Sequence, residues 1–190
     1  MGTIGCIEPP PEDKPLKIIK LTRLREKMMA LIEINKKKIK KWEEDIKKIK
    51  EQITQGEKDL TQNKLSYTEN EIKEKGKNLF ELKRYHLKSE KYIEFLGDFN
   101  IDLNNYLPMV EAKIEEFKYN SEQKTNKDGM NKIEVNDADE VILQTGENLI
   151  KQRELEGQNL KTIGSEDKTI NEALGKEEDY LKALLGNKDN

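Results

Sequence analysis

Covalent chemistry in this chain would fall to two residues near its start, Gly2 and Cys6, in the leader MGTIGCIEPPPEDKP. A glycine directly after the initiator methionine is what N-myristoylation requires, and a nearby cysteine is a substrate for S-palmitoylation. The preferred myristoylation pattern has Ser or Thr where this chain has Cys6. That cysteine both departs from the pattern and offers a second acyl site. One myristoyl chain binds a bilayer only marginally, and stable attachment takes a second signal. A palmitoyl group on Cys6 would supply it. So would the basic residues Lys14, Lys17, Lys20, Arg23 and Arg25, at about 1 kcal/mol each near an anionic surface. Pro9, Pro10, Pro11 and Pro15 would then act as a stiff spacer. The competing reading is an unmodified, disordered leader over residues 1–15.

Other chemistries lack their residues. The chain has no GxxxxGK[ST] phosphate loop and no GxGxxG fingerprint. Its one histidine, His86, stands among lysines in RYHLK and reads as a surface or seam residue. A nucleophilic Cys/His arrangement of Cys6 with His86 is not expected. Glu43 and Glu44 are adjacent and face different sides of a helix. No catalytic residue, metal or cofactor is therefore expected, and the chain does not read as an enzyme. The run Lys36, Lys37, Lys38, Lys40 and Lys41 could meet phosphates, with a solvated helix face as the competing reading. Aromatic residues are not interleaved with that run, so the stacking platform for single-stranded nucleic acid is missing and no nucleic-acid partner is expected. A single cysteine excludes an internal disulfide framework. No apolar run is long enough to span a bilayer, and the leader lacks a secretory-type apolar core, so a cytoplasmic location is expected.

Composition says which elements must position these residues. Charged residues are 38% of the 190, against about 25% in an ordinary globular domain. Hydrophobic residues are 34%, too few for a large spherical core but enough for apolar stripes on helices. The expected fold is all-α: a long antiparallel helical hairpin followed by short helices on flexible linkers. The first helix reads from about Leu16 to Gln55, stopped by Gly56. Its seam, Leu21, Leu24, Met28, Ile32, Asn35, Ile39, Trp42, Ile46, Ile49, Ile53, alternates three and four after Ile32, and Asn35 sits in it as a register-setting polar residue. The N-terminal half of this helix is wider in apolar residues. It reads as a partner site around Leu21, Leu24, Met28 and Leu31, or as core against a third helix. A second helix is expected from Lys58 to Leu107, with Pro108 kinking or ending it, and a shorter one over Met109–Tyr119. A helix capped at Asn136 or Asp137 would follow, weakened by Gly146 and ended by Gly157. A last helix would span Ile170–Leu185.

Charge divides the chain as well. Residues 1–50 hold fourteen Lys/Arg and eight Asp/Glu, a balance of +6, whereas residues 101–190 hold twelve and twenty, a balance of −8. A basic front and an acidic rear imply attraction to an anionic surface, masked at times by the chain's own tail. The organisation expected is a leader at 1–15, a hairpin core at 16–119 and acidic regulatory helices at 120–190.

This order of parts resembles the ESCRT-III (Snf7-domain) family. The stretch KNLFELKRYHLKSEKYIEFLGDFNIDLNNYLPMVEAKIEEF, residues 77–117, is similar to the family's second-helix region, with Lys83-Arg84-Tyr85 and Leu107-Pro108-Met109-Val110 as its matching steps. The stretch IEVNDADEVILQTGENLIKQRELE, residues 133–156, is similar to its fourth helix. The family's C-terminal ATPase-binding peptide is matched at Glu178, Leu181 and Leu185, while Leu184 and Lys188 depart from it. The resemblance implies a peripheral protein of the endosomal membrane, docked by an acylated Gly2 and by basic residues including Lys36, Lys37 and Lys38. It implies that Leu21, Leu24, Met28 and Leu31 meet the upstream ESCRT-II complex. It also implies that the hairpin nucleates filaments of other ESCRT-III subunits in multivesicular-body sorting and membrane budding, and that an AAA ATPase is a further partner. The alternative is a membrane-anchored coiled-coil scaffold or tether, dimerising through the Ile39–Ile53 seam.

Overall fold

The computed structural model describes residues 13–126, 137–162 and 168–186. Every element among them is helical: α1 (Asp13–Asn63), a single 3₁₀ turn (Lys64–Ser66), α2 (Glu69–Asn126), α3 (Asp137–Thr162), α4 (Lys168–Leu174) and α5 (Glu177–Leu185). α1 and α2 form the long hairpin. Its antiparallel sense follows from the pairs it makes: Asn35 meets Asn100, Trp42 meets Tyr92, and Gly56 meets Leu79.

Five boundaries differ from those the sequence suggests, and packing explains most of the difference. α1 passes through Gly56 and ends at Asn63. Gly56 is not a stop but a socket: a Cβ there would lie 2.5 Å from Leu79 Cδ2. α2 starts at a capping box. The Glu71 backbone N–H donates to Thr68 Oγ1 at 3.1 Å, and the Thr68 N–H donates to Glu71 Oε1 at 3.0 Å. α2 continues through Pro108, which lies on its exposed side. The lost backbone bond is outweighed by Leu103, Val110, Ile114 and Phe117, all buried on the opposite face around it. α3 runs on through Gly146 and Gly157. The final helix is two, divided at Gly175, whose φ of 76° suits a residue without a side chain.

The helices form two compact units. The first comprises the described part of residues 1–35 together with Asp98–Leu155. Its core is Leu21, Leu24, Met28 and Ile32 of α1, Phe99, Leu103, Val110, Ile114 and Phe117 of α2, and Leu143 and Ile150 of α3. Met28, Leu103 and Val110 are fully buried, and burial of side chains of this size contributes about 1.5–3 kcal/mol each. One polar pair interrupts this core. Asn35 Nδ2 donates to Asn100 Oδ1 at 2.9 Å, and Asn100 Nδ2 donates to the Ile32 carbonyl at 3.1 Å. A register shift of the hairpin would strand both amides, so Asn35 does what a polar seam residue is expected to do.

The second unit comprises Lys36–Gly97 and the described part of residues 156–190. It buries Ile46, Ile49, Ile53 and Leu60 of α1 against Leu79, Phe80, Tyr92, Phe95 and Leu96 of α2, with Ile170 of α4. The seam proposed for dimerisation is thus occupied within the chain itself.

Candidate interaction surface

In the first unit, the acidic rear of the chain lies on the basic front of α1. Glu140, Glu147 and Glu154 recur every seven residues and so share one face of α3. Lys20, Arg23 and Lys27 recur at three and four on α1. The two rows line opposite sides of a cleft of about 570 Å³, floored by Leu24, Leu143 and Ile150. At one end Lys17 Nζ stands 3.2 Å from Glu140 Oε2. Beside it, Lys113 of α2 reaches Asp139 Oδ1 and Glu116 Oε2, each at 2.9 Å. Those hydrogen bonds, that to Asp139 foremost, hold the Lys113 ammonium above its usual range. Further along, Arg153 places Nη2 at 2.6 Å and Nε at 2.8 Å from Asp102 Oδ2.

The helices come close enough for these pairs because of one residue. A Cβ on Gly146 would stand 2.7 Å from Leu24 Cδ2, 2.9 Å from Tyr106 Cε1 and 3.2 Å from Met28 Cε. Tyr106 also donates its hydroxyl to the Ile142 carbonyl, and burial pushes its phenol up from the ordinary value.

In the second unit, contacts with the hairpin are mainly apolar and aromatic. Gly157 of α3 faces the Phe95 ring, with Cε2 3.0 Å from where a Cβ would be. Leu181 of α5 packs on Gly76 of α2, where a Cβ would lie 2.6 Å from Leu181 Cδ1. Tyr180 sits against Phe80, takes Lys83 Nζ over its ring at 4.4 Å, and donates its hydroxyl to Glu57 Oε2 at 2.8 Å. Burial first, then that carboxylate, pushes the Tyr180 phenol far up. Lys64 Nζ donates to the Leu185 carbonyl at 3.3 Å.

The sequence-derived residues fall as follows. Gly2, Cys6 and the Lys14 side chain lie outside the described residues. Lys17 is largely covered and paired with Glu140, while Lys20 and Arg23 are exposed in the cleft and Arg25 is half-buried. Lys36, Lys37 and Lys38 are exposed on α1 in the second unit, as are Lys40, Lys41, Lys47, Lys48 and Lys50. Leu21, Leu24 and Met28, expected as a docking surface, are 1%, 4% and 0% exposed and belong to the core of the first unit in this conformation. Those three pack as core beneath α3, whereas Leu31 is half-exposed and Ile19, Met29 and Ile34 of the same half of α1 remain exposed. Glu178 is exposed, but Leu181 and Leu185 are half-buried within the second unit rather than displayed as a peptide. His86 lies 3.1 Å from Glu90 on its own helix. The residues missed from sequence are Glu140, Glu147 and Glu154, whose seven-residue spacing was there to be read, and Gly146, whose role needed its neighbours.

Among the described residues no group of His, Cys, Asp or Glu is placed to hold a metal ion, and no helix is long and apolar enough to cross a membrane. No protein-family model, curated protein or solved structure matches the chain.

Proposed function

We propose that the protein is a helical-hairpin subunit of the ESCRT-III kind that works at an anionic membrane surface and is held closed by α3. The observation that supports this most is the seven-spaced acidic row Glu140, Glu147, Glu154 laid along Lys17, Lys20, Arg23 and Lys27. An acidic segment that occupies a basic face competes with any other polyanion for it. In this reading the exposed lysines Lys36 to Lys50 make first contact with the bilayer, acylated Gly2 or Cys6 anchors the chain at the endosome, and departure of α3 adds the front cations to the contact. The same departure uncovers Leu21, Leu24 and Met28, which then become available to an upstream ESCRT-II complex. The freed hairpin joins other ESCRT-III subunits in a budding filament that an AAA ATPase later removes. Burial of Ile46, Ile49 and Ile53 inside the chain weakens the alternative, a scaffold dimerising through that seam.

The test is flotation of the full chain with phosphatidylserine-containing vesicles. Replacing Glu140, Glu147 and Glu154 together by Gln should raise binding several-fold. A control in which the exposed Glu94, Glu111 and Glu115 become Gln changes net charge equally and should raise it far less. Equal gains by both triple variants would reduce the effect to bulk charge and defeat the closed-state reading.

A further inference from the structure

The second unit contains a cavity of about 210 Å³ that the membrane reading does not use, lined by Trp42, Tyr85, Lys88, Ser89, Tyr92 and Leu160. Three of these six residues are aromatic. The Trp42 ring stacks on Tyr85 at a centroid distance of 6.2 Å and meets Tyr92, tilted, at 5.2 Å, so the three rings are in contact through Trp42. Ser89 is 1% exposed, and its Oγ makes no hydrogen bond among the described residues. A buried hydroxyl without a partner is unusual and costs about 1–3 kcal/mol. Lys88 at the lining adds a positive charge rather than a carboxylate. No carboxylate lines the cavity, so a quaternary ammonium would find no counter-charge in its wall.

We infer that this cavity is a binding site for a small planar aromatic molecule carrying one hydrogen-bonding group, of the phenol class. The size fits: an apolar cavity of about 150 Å³ is enough to hold benzene. Ring faces and edges of Trp42, Tyr85 and Tyr92 would pack the aromatic body in offset or edge-to-face contact. The polar group would pair with Ser89 Oγ, and Leu160 would close the apolar side. Neither the lysines of α1 nor the acidic row of α3 lines the site, so it is tested in the vesicle-free protein, where α3 and its Leu160 are in place.

Trp42 is the sole tryptophan of the chain, so its indole N–H gives one assignable amide-region NMR signal that reports on the cavity. The full chain would be titrated with p-cresol, toluene and phosphocholine. The expected result is a saturable shift of the Trp42 signal with p-cresol, at an affinity about fivefold to tenfold above that of toluene, since only the phenol satisfies Ser89. Ser89→Ala should abolish the preference while leaving toluene binding in place. Leu160→Trp, at a half-exposed site that folding tolerates more readily, should weaken both ligands by filling the cavity. Equal affinity for p-cresol and toluene, a preference that survives Ser89→Ala, no saturable shift with p-cresol, or binding of phosphocholine in its place would each overturn the proposal.

Discussion

α3 meets the hairpin in two different ways along its length. In the first unit it is framed by charge: Lys17 with Glu140, Lys113 with Asp139, Arg153 with Asp102. In the second unit Gly157 faces the Phe95 ring, Leu160 lines the cavity beside Trp42, and α5 adds Leu181 on Gly76. Both ends rely on a glycine that admits a large side chain. They differ in what surrounds that contact. Ion pairs weaken with salt and with competing polyanions, less so where they are partly covered, as Lys17, Lys113 and Arg153 are. Apolar and aromatic contacts do not weaken with salt in the same way. Under the proposed reading, the charged contacts of the first unit are those for which an anionic surface competes.

The largest effect should come from filling the socket at the charged end. Gly146→Leu would force Leu24, Tyr106 and Met28 apart and should destabilise the protein by about 1–3 kcal/mol, read by urea unfolding. Gly157→Ala should fall near neutrality, because the gain of about 1 kcal/mol in helix propensity offsets a 3.0 Å approach to one ring. A comparable loss at both glycines would erase the distinction between the two ends.

A smaller effect belongs to the capping box that starts α2 beside the hairpin turn. Thr68→Ala should cost about 1 kcal/mol of stability. Hydrogen bonds from the Thr68 backbone and hydroxyl hold the Glu71 carboxyl below its usual range. A carboxyl depressed in the folded state stabilises fully above its unfolded value, and that contribution fades as pH falls toward the folded one. Thermal melts from neutral to acidic pH should therefore show a smaller acid-dependent loss in Thr68→Ala than in the parent. The same loss in both would remove the capping box from the account.

The smallest effect is that of salt on single pairs. These pairs are partly covered, so salt weakens each of them only modestly. Raising NaCl should speed amide hydrogen exchange over residues 139–154 more than over 177–185. Uniform acceleration would mean that the two ends are held by the same forces.

The helical class and the hairpin were legible because Lys and Glu favour helix and because the Leu21-to-Ile53 seam keeps its spacing. Asn35 was legible as a register residue by its place in that seam, though Asn100 as its partner was not. The boundaries were misread wherever glycine or proline was taken at its local value. Gly56, Gly146 and Gly157 lie inside helices because Leu79, Leu24 and Phe95 occupy the space that a side chain would fill, and such long-range facts have no local signature. The T-x-x-E of Thr68 and Glu71 was a local signal, and it marks the start of α2 correctly. Of the candidate surface, the sign of each half was visible by counting charge. That Leu21, Leu24 and Met28 would be core depended on where α3 lies.

The claim that α3 masks the front of α1 is tested most directly by a distance. Spin labels at Ala30→Cys and Gln152→Cys, both exposed positions of the first unit, would be placed in a Cys6→Ser background and measured by pulsed electron resonance. Without vesicles the account predicts one short, narrow distribution. With phosphatidylserine vesicles it predicts a second, longer and broader population whose share rises with the fraction of protein bound. A distribution that stays short and narrow while the protein is fully vesicle-bound would contradict it.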